Sequence, residues 1–326
     1  MNRVILHCGA AKTGTSYLQV LFARHADALE RAGIVYPPDP TSAAAMDMAR
    51  AGAVTSGNGV GLANFLRPDL PHAIADKSAF AGHLKSLLAQ HQGKDLLFSS
   101  EFIVFPEGDE TRILFDTITQ AGYRPLILYM VRDIASAARA TYSQQVKRHG
   151  ETRRFADYLS DWSPHYLHHI RLMQAAAGPE NVAVYNYDEQ RARLAEFMFA
   201  DVLGAAVPEE TTFVTNRSLT ARETELMRVM NGHFPPGQTA LSTLVSDALI
   251  SVAKERDEIG LTPEEHDVLH QRFAQTVTFV NTRIRGREIA ISPHTPEKRH
   301  DIQLSETETA LAAVLARLTT RIFENG

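Results

Sequence analysis

A loop rich in small residues follows the first apolar segment of this 326-residue chain. Residues 4–6 form a short apolar run typical of a buried strand, and apolar residues at helical spacing begin at Leu18. The residues between them that can do chemistry are Gly9, Lys12, Thr13, Gly14, Thr15 and Ser16. The N–H groups of such a loop and the positive end of the next helix converge on an anion. Because small residues allow close approach and a lysine adds positive charge, the pattern predicts a phosphate-binding loop.

The position of the lysine separates this loop from that of the common NTPases. Their pattern, G-x-x-x-x-G-K-[ST], places lysine directly after the second glycine. Here Lys12 comes two residues before Gly14, in the order K-T-G-T-S. The alternative is an ordinary strand–turn–helix unit in which the lysine occurs by chance.

A second candidate lies at the end of the apolar run 126–131. Arg132 follows this run directly, at the carboxyl end of a predicted strand, where α/β folds bind their ligands. A guanidinium group suits a phosphate because its planar N–H groups donate in pairs. The alternative is that Arg132 pairs with Asp133 or a neighbouring carboxylate.

The elements that position these residues alternate between strands and helices. Parallel strands are predicted at 3–8, 95–100, 125–131 and 181–187, and helices at 15–32, 110–121, 135–148 and 164–177. This alternation predicts an α/β fold with right-handed crossovers.

Two regions depart from that alternation. Residues 37–75 are punctuated by proline and glycine, and we expect them to cover the side on which an acceptor binds. After about residue 215 helices dominate, with capping boxes beginning at Thr262 and Ser305. We therefore predict a core at 1–215 and a helical C-terminal region at 216–326 packed on it. Asn216 or Ser218 is expected to cap the helix at 221–231.

Composition narrows the class of protein. The net charge of −5 provides no basic field for nucleic acid or anionic lipid, so we expect neither as a partner. Cys8 is the single cysteine, which suits a reducing compartment. Neither a membrane span nor a signal core is visible. These features favour a cytoplasmic enzyme of bacterial type.

Taken in order, the motifs resemble the bacterial sulfotransferases that use 3′-phosphoadenosine 5′-phosphosulfate (PAPS). The ordered segments are H-C-G-x-x-K-T-G-T-S, L-F-S-S-E, Y-M-V-R-D with its helix, and N-V-A-V-Y-N-Y-D, over roughly residues 1–220. The resemblance implies a three-layer parallel-sheet P-loop fold. It also implies transfer of a sulfuryl group from PAPS to a hydroxyl or amine, with release of 3′-phosphoadenosine 5′-phosphate (PAP) and no required metal. Whether the acceptor is a carbohydrate, a lipid or a small metabolite stays open, as does the oligomeric state.

The resemblance also implies roles for individual residues. Lys12 would be catalytic, and Arg132 would bind the 3′-phosphate. The family's serine eight positions after that arginine is Ala140 here, so Thr141, Ser143 or Ser136 would replace it. The implied cofactor-binding set is Gly9, Lys12, Thr13, Gly14, Thr15, Ser16, Tyr17, Arg132, Thr141 and Ser143.

Two of these roles have structural alternatives. Glu101 ends the strand at 95–100 and would accept the proton of the acceptor hydroxyl, unless it caps the next segment or pairs with Lys12. Tyr17 would stack on adenine, unless it is a core aromatic residue.

A basic cluster follows the predicted helix at 135–148 and consists of Lys147, Arg148, His149, Arg153 and Arg154. It either attracts an anion or is a solvated helix end.

Two rival functions remain. The protein is a nucleotide kinase or NTPase in one, and a non-catalytic nucleotide-binding protein in the other.

Overall fold

The computed structural model describes residues 1–39, 43–53, 55–69, 72–209, 211, 218–251, 260–292 and 303–325. The strands are β1 Arg3–Gly9, β2 Ile34–Val35, β3 Asp95–Ser99, β4 Arg124–Val131, β5 Val182–Asn186 and β6 Ile284–Arg285. The helices are α1 Thr15–Arg24, α2 Ala26–Arg31, α3 Ala43–Arg50, α4 Val60–Leu66, α5 Lys77–Gln90, α6 Asp109–Gln120, α7 Ile134–His149, α8 Phe155–Leu159, α9 Tyr166–Ala177, α10 Tyr187–Gln190, α11 Leu194–Glu196, α12 Ala221–Asn231, α13 Thr239–Ile250, α14 Pro263–Asn281 and α15 Glu306–Asn325. A π-helical turn, Phe197–Leu203, follows α11.

The strands form one six-stranded sheet, all parallel, in the order β2-β3-β1-β4-β5-β6. The predicted α/β fold with a parallel sheet is therefore confirmed. The four predicted strands are β1, β3, β4 and β5. The strands β2 and β6 were not predicted, because two residues are too few to produce a periodic pattern.

The chain divides into two compact units with interleaved segments. The first unit is Met1–Arg132, His165–Thr215 and Thr276–Ile289, and the second is Asp133–Pro164, Asn216–Gln275 and Ala290–Gly326. The boundary predicted at 215/216 lies outside the described residues and stays a prediction.

In the first unit, side chains alternate between the two faces of the sheet. Ile5, Leu97 and Met130 join the side chains of α1 in one buried cluster. On the other face Tyr129 contacts Tyr166 and His169 of α9. Helices therefore cover both faces of the central strands, as expected for a parallel sheet.

Two local predictions were wrong. The helix expected at 15–32 is divided at His25, whose φ of −111° ends α1 before α2 begins. The cap of α12 is Thr220 rather than Ser218, because Thr220 and Glu223 form a reciprocal capping box; Asn216 lies outside the described residues. The capping boxes predicted at Thr262 and Ser305 are confirmed.

Within the described ranges, no helix is long and apolar enough to cross a bilayer.

Candidate functional site

The loop between β1 and α1 has a backbone that suits an anion. Lys12 and Gly14 are both left-handed, with φ of 66° and 78°. No side chain caps α1, and its first turn has no acidic residue. The first N–H groups of a helix have no acceptor within the helix, and the helix dipole makes this end positive. The start of α1 is therefore available to a negatively charged group.

Two threonine hydroxyls of this loop differ in their partners. Thr13 Oγ1 donates to the carbonyl oxygen of Ala10 at 2.8 Å. Thr15 Oγ1 is buried and has no hydrogen-bond partner. A buried hydroxyl without a partner destabilises the protein by about 1–3 kcal/mol. Of the two hydroxyls, Thr15 Oγ1 is therefore the one better placed to bind a ligand oxygen.

The glycines of the loop are required by close contacts. A Cβ on Gly9 would lie 2.6 Å from Thr13 Oγ1 and 2.5 Å from Thr15 Oγ1. A Cβ on Gly14 would lie 2.5 Å from Leu194 Cδ2 and 3.0 Å from Tyr187 Cε2. A larger residue at either position would displace the hydroxyls or push the loop away from α10 and α11.

Arg132 contacts this loop directly. Its Nη1 donates to the carbonyl oxygen of Lys12 at 3.1 Å, and its Nη2 pairs with Asp188 Oδ1 at 3.1 Å. Its guanidinium carbon lies 5.0 Å from the centre of the Tyr187 ring. The side chains of Arg132 and Asp188 are 12% and 11% exposed. The structure thus brings Arg132 and Lys12 together, and the carboxylate that pairs with Arg132 is Asp188.

Asp133 has a different partner. Its Oδ1 accepts from the backbone N–H of Ala290 at 2.8 Å, within the second unit. Sequence reasoning missed Asp188, although it ends the segment N-V-A-V-Y-N-Y-D. The signal was its position just after β5, at the same edge of the sheet as Arg132.

The end of β3 is held by residues that sequence reasoning also missed. Asn58 Nδ2 donates to the carbonyl oxygen of Leu97 at 2.9 Å, and its Oδ1 accepts from the N–H of Ser99 at 2.8 Å. A Cβ on Gly57 would lie 2.0 Å from the carbonyl oxygen of Ser99. Part of the segment expected to cover the acceptor side is therefore bound to the strand that precedes Glu101. Glu101 itself is exposed, and its role as a base stays a prediction.

His7 lies beside this strand end. Its Nδ1 is hydrogen-bonded to Ser99 Oγ at 2.8 Å, and its ring meets the ring of Phe22 edge-on. Burial lowers the pKa of His7 to about 4, so the ring is neutral at pH 7. The sequence signal that could have found His7 is a polar residue inside an otherwise apolar strand.

The other predicted ligands have contacts of their own. Tyr17 packs partly against the core, and its hydroxyl donates to the carbonyl oxygen of Thr211 at 2.9 Å. Thr141 belongs to the second unit, where its Oγ1 donates to the carbonyl oxygen of Ala137 at 2.8 Å. Ser143 also lies on α7. Adenine stacking by Tyr17 and phosphate binding by Thr141 or Ser143 stay predictions.

Carboxylates oppose part of the basic cluster. Arg148 pairs with Asp247 at 2.5 Å, and Arg153 pairs with Glu151 and Asp161 at 2.8 and 2.9 Å. These contacts favour the interpretation as a helix end over an anion-binding patch. In the part of the chain that the structure describes, no group of three or more His, Cys, Asp or Glu side chains is placed to hold a metal ion.

No protein-family model matches the chain, and no curated protein does. Among solved structures, a sulfotransferase from Alicyclobacillus acidocaldarius aligns at 18% identity with a TM-score of 0.40, over 78% of this chain and 98% of the other. Retinol dehydratase in complex with androsterone and the inactive cofactor PAP aligns at 12% identity with a TM-score of 0.32, over 87% and 82%. Both likenesses are distant, so the function has to be inferred from the loop itself.

Proposed function

We propose that this protein is a PAPS-dependent sulfotransferase that acts on a hydroxyl or amine and releases PAP. The observation that supports it best is the β1–α1 loop. There an uncapped helix start, a lysine and the buried, unpartnered Thr15 hydroxyl come together. Such a site binds a phosphate-like group. Lys12 precedes Gly14 by two residues, whereas the lysine of the common NTPases directly follows the second glycine. This position favours a phosphosulfate over the triphosphate of an NTPase.

The residues of the loop divide three proposed tasks among them. Thr15 and Ser16, with the N–H groups from Thr13 to Tyr17, hold the 5′-phosphate. Lys12 stabilises the negative charge that develops on the oxygen leaving the sulfur. PAPS, when bound, supplies the sulfuryl group, and the bond from sulfur to the 5′-phosphate oxygen breaks as the bond to the acceptor forms. Gly9 and Gly14 allow the close approach.

Glu101 is the proposed general base. It follows the buried Ser99-Ser100 pair at the carboxyl edge of the sheet, the edge at which the loop also begins. Because Glu101 is exposed, its carboxylate is accessible to an acceptor from solvent. Glu101→Gln should leave PAP binding within a few-fold and lower turnover by on the order of 10²-fold. Unchanged turnover would remove Glu101 from the mechanism.

Arg132 is the proposed ligand of the 3′-phosphate, with Thr141 or Ser143 in place of the family serine. Since Arg132 is paired with Asp188, a phosphate at this point must compete with a carboxylate. Tyr17 is the proposed adenine contact. The scheme requires no metal, and we propose a cytoplasmic location with a small-molecule, glycan or lipid acceptor.

Ligand-induced thermal shifts test the choice of nucleotide. PAP should raise the melting temperature more than adenosine 5′-phosphate does, and both more than ATP with Mg²⁺, because a ligand that binds only the folded state stabilises it. A larger shift with ATP and Mg²⁺ would favour a kinase instead.

Catalysis needs a separate experiment. With labelled PAPS and an extract of the host, a product should gain the mass of one SO₃ group, and EDTA should not prevent this. PAP binding with no labelled product across a broad acceptor panel would favour a non-catalytic nucleotide-binding protein.

A further inference from the structure

The two faces of α15 are arranged against the usual rule. Its side that packs within the second unit carries Ala312 and Ala316, both fully buried. Five of its large apolar side chains lie on the side turned away from that packing and are 48% to 73% exposed. They are Leu311, Val314, Leu315, Leu318 and Ile322, here called the α15 apolar face. A helix with no other partner would place leucine inside and alanine outside.

The size of this face indicates a protein partner. Five large side chains at about half exposure present roughly 500 Å² of apolar surface, within the range of the largest patch of a monomer. Two such faces together bury roughly 1,000 Å², the lower limit for a specific interface. The α15 apolar face is therefore large enough to hold two copies of the chain together, although not tightly.

The spacing of the face shows what it fits. Leu311, Leu315, Leu318 and Ile322 are separated by four, three and four residues, the repeat of a helix-pairing seam. These spacings of four, three and four residues read the same from either end of the helix. A two-fold axis between Leu315 and Leu318 would place Leu311 against Ile322 of the other copy. A seam that maps onto itself is what a two-fold symmetric dimer requires.

Other occupants fit less well. A bilayer that binds an amphipathic helix favours an excess of lysine and arginine along its polar side. The charges of α15 are mixed instead: Glu306, Glu308, Arg317, Arg321 and Glu324. The segment before α15, residues 293–302, has Ile302 as its one large aliphatic residue and offers no matching apolar surface.

We propose that the α15 apolar face is a dimer interface, in which α15 pairs with α15 of a second copy in antiparallel orientation. The seam residues Leu315 and Leu318 lie at the centre of this interface and carry most of its binding energy. The dimer is independent of the proposed enzymatic activity.

Analytical ultracentrifugation of the full chain from about 1 to about 100 µM tests the assembly. We expect the wild type to approach twice the chain mass of 36.0 kDa. The double variant Leu315→Glu/Leu318→Glu should raise the dimer dissociation constant at least about 100-fold. Val268→Glu, at an exposed valine on α14, is the matched control and should dimerise like the wild type. At concentrations low enough for the wild type to be monomeric, all three should melt at similar temperatures, since the changed side chains are exposed.

Disulfide trapping tests the orientation. In an antiparallel pair Leu311→Cys/Ile322→Cys should form a covalent dimer on oxidation, whereas Leu311→Cys alone should not. Cross-linking by Leu311→Cys alone would show parallel pairing and overturn the antiparallel arrangement. A monomeric wild type at the highest concentration, or a double glutamate variant that still dimerises, would overturn the interface itself. Flotation of a monomer with phosphatidylserine vesicles would assign the face to a membrane instead.

Discussion

The β1–α1 loop and α15 depart from ordinary globular packing in opposite ways. The loop buries a polar hydroxyl, Thr15 Oγ1, without a partner, and α15 exposes apolar side chains such as Leu315 and Ile322. Each arrangement destabilises the isolated chain, by desolvation in one case and by solvent-exposed apolar surface in the other. The comparison teaches that the kind of misplaced group, buried polar or exposed apolar, indicates the class of partner. Buried unpartnered polarity suits a small anion, and exposed apolarity suits another protein surface.

The largest expected effect concerns the lysine of the loop. Lys12→Gly should lower sulfuryl transfer by about 10²–10³-fold, because it removes a charge aimed at the leaving oxygen. Stability should not fall, since glycine adopts the φ of 66° at Lys12 without strain. Initial rates measure the loss of transfer, and thermal melts of the same preparation measure the stability. Equal rates in variant and wild type would break the assignment of the loop to an anion.

The next effect separates a ligand contact from a structural one. Arg132→Ala should weaken PAP binding by very roughly 10–100-fold, as expected for a lost charge-assisted contact. Adenosine 5′-phosphate, which lacks the 3′-phosphate, should be affected little. Calorimetric titrations with both nucleotides measure this.

The contact of Arg132 with the Lys12 carbonyl provides the opposing outcome. Equal losses for the two nucleotides would mean that Arg132 supports the loop rather than the 3′-phosphate. Asp188→Asn is the matched variant: it keeps a hydrogen-bond acceptor but removes the competing charge, so it should tighten PAP binding if a phosphate replaces the carboxylate.

The pH dependence of stability tests another buried polar group near the site. The pKa of His7 is about 4 in the folded protein, against 6.5 for a solvent-exposed histidine, because burial disfavours the charged ring. The unfolded chain therefore binds a proton first as the pH falls. The free energy of unfolding should decrease from about pH 6.5 towards pH 4, by about 2–3 kcal/mol for this residue, and should not change on this account at higher pH.

Denaturant melts at several pH values measure this slope, and His7→Gln should flatten it. His169, whose pKa burial also lowers to about 4, contributes to the slope that remains, as does Glu308, whose pKa is lowered by its hydrogen bond from Arg222. The α15 apolar face has no titratable side chain, so dimerisation should not change between about pH 8 and pH 6.5. A slope unaffected by His7→Gln would contradict the burial of a neutral His7.

The smallest effect compares two threonines of one loop. Thr15→Val should leave the ligand-free protein as stable as the wild type or slightly more stable, since its hydroxyl has no partner to lose. It should weaken PAP by about tenfold, one neutral hydrogen bond. Thr13→Val should cost about 1 kcal/mol of stability, because the Ala10 carbonyl loses its donor. The reverse pattern would exchange the roles of the two residues.

Much of the fold followed from local patterns. The four longer strands were predicted within about two residues, because a parallel sheet needs continuous apolar runs. Helix starts were predicted less evenly. The capping boxes at Thr262 and Ser305 were confirmed. The cap of α12 was predicted at Asn216 or Ser218, whereas the structure places it at Thr220. The strands β2 and β6 are two residues long and exist only by pairing with longer neighbours.

The site was predictable only in part, for a related reason. The loop from Gly9 to Ser16 is contiguous in the chain, so its spacing alone indicated an anion. Asp188 and Asn58 are 56 and 41 residues from the partners they contact, Arg132 and Ser99, and no local pattern joins them. Folding decides which side chains meet at a sheet edge.

The sequence by itself therefore determined the alternation of strands and helices, the small-residue loop with its lysine and the apolar repeat of α15, because each depends on residues within a few turns of one another. Only the tertiary structure decided that Arg132 meets Asp188 and the Lys12 carbonyl, that Thr15 rather than Thr13 lacks a partner, and that the leucines of α15 are exposed. Burial and pairing are properties of neighbours in space, and residues distant in the chain become neighbours only when the whole core packs.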